Sequence, residues 1–71
     1  MSVEKELQEA IEAVQSATAL VREQEAKIAA MKAAGIDTSR AESLLSAYRA
    51  AAHYAAERRD WLQAQREAES G

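Results

Sequence analysis

One interruption constrains this chain more than any other feature. Proline is absent, and the only glycines are Gly35 and the terminal Gly71. Proline and glycine are the strong helix breakers, so only the region around Gly35 can stop a helix internally. The stretch Met31-Lys32-Ala33-Ala34-Gly35-Ile36-Asp37-Thr38-Ser39-Arg40-Ala41-Glu42 ends one helix and begins another. Glycine reaches the left-handed conformation without a side-chain clash, so Gly35 reads as the residue just past a helix end. Met31 and Ile36 then take the two positions that meet in a Schellman stop. Asp37, Thr38 and Ser39 are all N-cap residue types, with Asp37 or Thr38 preferred. Ser39 and Glu42 also have capping-box spacing, and a cap at Asp37 would make Ile36 and Ala41 a hydrophobic staple. The sequence predicts a helix over about 3–34, a turn over 35–38 and a helix over about 38–68. Glu69-Ser70-Gly71 is expected to fray, and the whole of 1–71 to form a single helical-hairpin domain.

Heptad spacing sets the buried face of the first helix. Leu7, Val14, Val21 and Ile28 stand seven apart, and Val3, Ala10, Ala17, Gln24 and Met31 form the partner row three residues later. Such a two-row seam is the signature of helices packed side by side. Ile11 and Thr18 widen it on one side, Ala13 and Leu20 on the other. Glu4, Glu6, Glu9 and Glu12 crowd the first turns, where they favour the positive end of the helix dipole. The second helix has a seam at Leu45, Tyr48, Ala52, Ala55, Arg59 and Leu62. Beside it runs a second row, Leu44, Ala47, Ala51, Tyr54, Arg58 and Trp61.

A reversal at Gly35 makes the helices antiparallel neighbours. The numbers of facing residues should sum to about 73, so that Ile28 meets Leu45, Val21 meets Ala52 and Ile11 meets Leu62. The same register brings Glu9 and Glu12 towards Arg58, Arg59 and Arg66. The fold class is thus all-α, an antiparallel hairpin of two long helices. Of 34 hydrophobic residues 18 are alanine, leaving 16 larger apolar side chains and no phenylalanine. A chain of this size rarely buries a core worth more than about 3–5 kcal/mol unless it oligomerises. The two apolar rows of the second helix exceed what one partner helix can cover. Dimerisation into a four-helix bundle would bury Leu44, Ala51, Tyr54 and Trp61 together with Ile11 and Leu20. A homodimer is therefore expected, with a different protein partner as the alternative.

Charge and composition narrow the partners. Twelve acidic and nine basic residues give a net charge of −3, which argues against general binding to nucleic acid or anionic membrane. No apolar run approaches the ~18 residues of a membrane span. The N-terminal Met1-Ser2-Val3-Glu4-Lys5-Glu6 lacks the basic-then-apolar order of a signal peptide, so a soluble cytoplasmic protein is expected. Without cysteine there is no disulfide, thiolate nucleophile or cysteine metal site.

Little in the sequence suggests catalysis. His53 is the only histidine, with Arg49 and Glu57 one turn either side on the same face. Glu57 could orient the imidazole as a base or metal ligand, but the pair supplies too few ligands for a metal. No Glu-x-x-His motif of the di-metal bundles occurs. An exposed charge ladder is the simpler reading. The N-terminal glutamates read as solvated helix-start charges, and Ser16, Ser39, Ser43 and Ser46 have no neighbouring base. No glycine-rich phosphate loop exists. Neither enzyme activity nor a metal or cofactor is expected.

The cluster with most to offer is Arg49, Tyr54, Arg58, Arg59, Trp61 and Arg66. Tryptophan, tyrosine and arginine are over-represented at protein-binding hot spots. The same types can stack bases and meet phosphates of RNA. The leading expectation is a non-catalytic protein–protein interaction module (a small adaptor, inhibitor or assembly factor) acting through a homodimeric bundle. The alternative is a small RNA-binding regulator using Arg49, Arg58, Arg59 and Arg66.

Overall fold

A computed structural model describes residues 2–70. They form α1 (Val3–Ala33) and α2 (Ser39–Ser70), which pack against each other along their length. The hairpin is 55 Å long and 17 by 14 Å across. Ser2 caps α1 with its side-chain oxygen accepting from the Lys5 N–H at 3.2 Å. Glu4 and Glu6 lie in the first turn, and Lys32 in the last complements the opposite end of the dipole.

The reversal is built as its residues dictate. The Ile36 N–H donates to the Met31 carbonyl at 2.9 Å and the Gly35 N–H to that of Lys32 at 3.1 Å, the paired bonds of a Schellman stop. Gly35 has φ +73°. A methyl group added there would meet nothing within 4 Å, so glycine is required by the backbone and not by crowding.

At the start of α2 several expected roles are divided among neighbours. Thr38 flanks the helix, and its carbonyl accepts from the Glu42 N–H at 2.8 Å. The Thr38 hydroxyl donates to the Glu42 carboxylate at 3.0 Å. Asp37 Oδ1 accepts from both the Ser39 N–H, at 3.1 Å, and the Ser39 hydroxyl, at 2.8 Å. The Ser39–Glu42 capping box does not form, because Ser39 is already helical and its hydroxyl is engaged by Asp37. At the other end α2 continues through Ser70, past the expected stop near 68, since no glycine or proline lies between Ser39 and Ser70. Glu69 and Ser70, expected to fray, are therefore helical, while Gly71 lies outside the described residues.

The core is thin and follows the seams. Leu7, Ala10, Ile28, Leu45, Ala55 and Leu62 are buried, with Leu62 only 1% exposed. Leu7, Ala10 and Leu62 form one cluster against which Ile11 packs, in the expected register. The cross-helix ion pairs agree, since Lys32–Glu42 and Glu25–Arg49 both have residue numbers summing to 74. Ile11 thus makes the contact with Leu62 that the register predicts, and it stays half-buried there.

Gln24 interrupts the apolar row of α1 and is buried, its Nε2 donating to the Ala41 carbonyl at 3.0 Å. A buried amide needs such a partner, and a polar group at a seam position fixes register at some cost in stability. Among the described residues no buried side-chain nitrogen or oxygen lacks a hydrogen bond.

Two predictions follow from this geometry. Gly35→Ala should destabilise the hairpin by about 1 kcal/mol through left-handed strain alone, whereas Leu62→Ala should cost about 2–5 kcal/mol; urea unfolding of both variants checks the order. The second concerns Asp37, whose carboxyl is held below the usual aspartate range chiefly by the Ser39 hydroxyl, then by the Ser39 N–H. A carboxylate with a depressed folded value contributes stability above its unfolded value, near pH 4, and loses it as pH falls through the folded value. The melting-temperature difference between wild type and Asp37→Asn should therefore be flat above about pH 5 and shift against wild type in more acid solution.

Candidate functional site

An antiparallel helix pair has two flanks, and here they differ in chemistry. On one flank stand the residues that follow seam positions: Glu25 and Lys32 on α1, Glu42 and Arg49 on α2. Arg49 Nη2 lies 3.0 Å from Glu25 Oε2, and Lys32 Nζ lies 3.5 Å from Glu42 Oε1. This flank is laced by charge. On the other stand the residues that precede seam positions, including Ala13 and Leu20 on α1 with Leu44, Ala51 and Arg58 on α2. Just beyond them on α2 lie Ala47, Tyr54 and Trp61.

The second flank is apolar and uncovered. Leu20 and Leu44 are each 43% exposed, Trp61 60% and Tyr54 68%. Ala47 and Ala51 are exposed between them. The row from Leu44 to Trp61 repeats at intervals of three and four residues, which keeps it on one face of α2. Tyr54, Glu57, Arg58 and Trp61 line an open groove of about 360 Å³ at its far end. Beyond that groove Arg58 also borders a cleft with Ser2, Lys5, Glu6 and Glu9, which confirms that this flank of α2 meets the start of α1.

The expected site residues separate accordingly. Tyr54, Arg58 and Trp61 come together on the open flank. Arg49 lies on the opposite flank, in its ion pair with Glu25. Arg59 occupies the seam side and turns to its neighbour Asp60, Nη2 to Oδ1 2.9 Å, so it does not reach Glu9 or Glu12 as expected. An aspartate one residue away presents its carboxylate with no reach across the seam. Arg66 is exposed in the last turns of α2, beyond the aromatic pair. Exposed Leu20, on α1, completes the apolar surface.

His53 Nε2 lies 2.9 Å from Glu57 Oε1, both side chains well exposed. Arg49, the third member of the expected ladder, is directed across the seam instead. Among the described residues no group of three or more histidine, cysteine, aspartate or glutamate side chains could hold a metal ion. None of their helices is long and apolar enough to cross a membrane.

Compared with known proteins, the chain matches no family model, no curated protein and no solved structure.

Since both partners of the Glu25–Arg49 pair are about half exposed, the pair should contribute little. Glu25→Gln is expected to lower unfolding free energy by less than about 1 kcal/mol, and the effect should shrink in 1 M salt. Urea titrations at low and high salt check both points.

Proposed function

We propose that this chain is a non-catalytic protein–protein interaction module, a small adaptor, inhibitor or assembly factor, that acts as a homodimeric four-helix bundle. The observation that carries this reading is the uncovered row Leu44, Ala47, Ala51, Tyr54 and Trp61 on α2, with Leu20 beside it. Isolated exposed leucines are ordinary, but contiguous apolar patches that include tryptophan and tyrosine mark interaction surfaces. The spacing of the row is that of a helix seam, so the matching occupant is another helix. Packing two hairpins face to face gives a four-helix bundle in which each helix meets two neighbours.

The charge distribution favours a protein partner over RNA. The guanidinium groups of Arg49 and Arg59 are engaged by Glu25 and Asp60, and the chain is net negative. A nucleic-acid groove needs a continuous basic track beside its stacking rings. Here Glu57 shares the groove with Tyr54, Arg58 and Trp61.

Trp61→Ala tests the reading directly. Because Trp61 is 60% exposed on the hairpin, its loss should leave each hairpin helical while removing much of the docking surface. Size-exclusion chromatography with light scattering should show wild type at twice the chain mass, and the variant shifted to the monomer at the same micromolar loading. Circular dichroism should show helix in both. A variant that keeps the dimer mass places the interface elsewhere.

A further inference from the structure

The exposed row also specifies how the second copy docks. We infer that two hairpins associate α2 against α2, antiparallel, about a two-fold axis level with the Ala52–His53 peptide; this rests on the dimeric reading above. An antiparallel α2 pair brings the two exposed rows together only in registers one heptad apart. In the central one, facing residue numbers sum to 105. Leu44 then meets the partner's Trp61, Ala51 meets the partner's Tyr54, and Ala47 meets the partner's Arg58. Small side chains lie opposite large ones at the two inner steps, and the outer step pairs leucine with tryptophan.

The neighbouring registers fit less well. One heptad in one direction sets Arg58 against the partner's Arg40 and carries Trp61 past the start of α2, opposite the partner's Asp37. One heptad in the other still sets Ala51 against the partner's Trp61, but it moves Leu44 onto the partner's Ala68 and Ala47 onto the partner's Gln65, so Leu44 loses its large apolar partner. A parallel pair places every residue against its own copy, so Arg40 and Arg58 each face a like charge. Like charges directly opposed disfavour both of the arrangements that contain them.

An observation on the other helix agrees. Leu20 is the exposed leucine of α1 on the same flank. In the hairpin register it lies level with His53, since the two numbers sum to 73. Both copies of Leu20 therefore approach the centre of the central register, and are displaced from it in the shifted ones. The row from Leu44 to Trp61 is ~26 Å long at 1.5 Å per residue. With its aromatics and leucines doubled by symmetry it would bury roughly 1,000 Å², near the lower end for a specific interface.

The absence of cysteine makes the test clean, because each introduced thiol is unique. Ser46, His53 and Asp60 stand seven apart on one exposed row of α2 that turns away from the proposed interface. Ser46→Cys, His53→Cys and Asp60→Cys would each be spin-labelled in the full chain, their helicity checked by circular dichroism and their mass by sedimentation. Pulsed electron paramagnetic resonance then reads the distance between the two labels of a dimer. The proposed register puts the labels at 53 almost level, and offsets those at 46 and at 60 by ~20 Å along the axis. The expected result is the shortest distance at 53, with longer and similar distances at 46 and 60. Equal distances at all three sites indicate a parallel pair, and markedly unequal distances at 46 and 60 indicate a shifted register. Either result overturns this inference while leaving a homodimer intact. Monomeric mass with no dipolar coupling overturns the dimeric reading as well, and assigns the face to a different protein.

Discussion

The hydrogen bonds from Ile36 to Met31 and from Gly35 to Lys32 fix where α1 ends, and with it which residues of α2 face which residues of α1. A helix that ran one residue further would rotate the chain by about 100° before it turned back. Gly35 supplies the left-handed residue that this stop needs, and after Ile36 the side chains of Asp37 and Thr38 restart the helix. Everything downstream inherits that register: Leu62 against Leu7 and Ala10, Arg49 against Glu25, and the outward turn of Tyr54 and Trp61.

With the register set, the supply of large apolar side chains decides how much can be enclosed. The seam is closed by leucine, isoleucine and alanine, with Gln24 inserted at the price of one hydrogen-bonded amide. Alanine gives close helix approach but little burial, so a hairpin of this composition has a core of modest depth. The charged flank is satisfied within the hairpin by Glu25–Arg49 and Lys32–Glu42. The apolar flank is not. That asymmetry is what makes an external partner for α2 physically reasonable, because covering Leu44, Tyr54 and Trp61 would add three large apolar side chains to the contacts of α2.

Much of the hairpin was legible in the residues, and its mechanism was local. Gly35, the heptad rows and the cap residues act within a few positions of themselves, so periodicity and capping chemistry located the helices, the turn and the Ile11–Leu62 contact. Long polar side chains were harder to place. Arg59 was expected to reach the glutamates of α1, but Asp60 lies one residue away and captures it. Thr38 and Asp37 divided the cap between them, a choice among equivalent oxygens that spacing alone does not settle. Sequence spacing grouped Arg49 with the aromatics. Only the contact with Glu25 reveals that it lies on the other flank. The second row of α2 was visible as a pattern, whereas its exposure depends on where α1 lies.

The most direct measurement is the thermal unfolding of wild-type chain, followed by circular dichroism from about 1 μM to 1 mM. Mass action ties the midpoint of an associating protein to its concentration. If the exposed flank of α2 is covered by a second copy, the midpoint rises steadily with each tenfold increase in concentration. A midpoint that is independent of concentration across that range, with full helicity throughout, would mean that the hairpin stands alone and that self-association is not what its apolar flank is for.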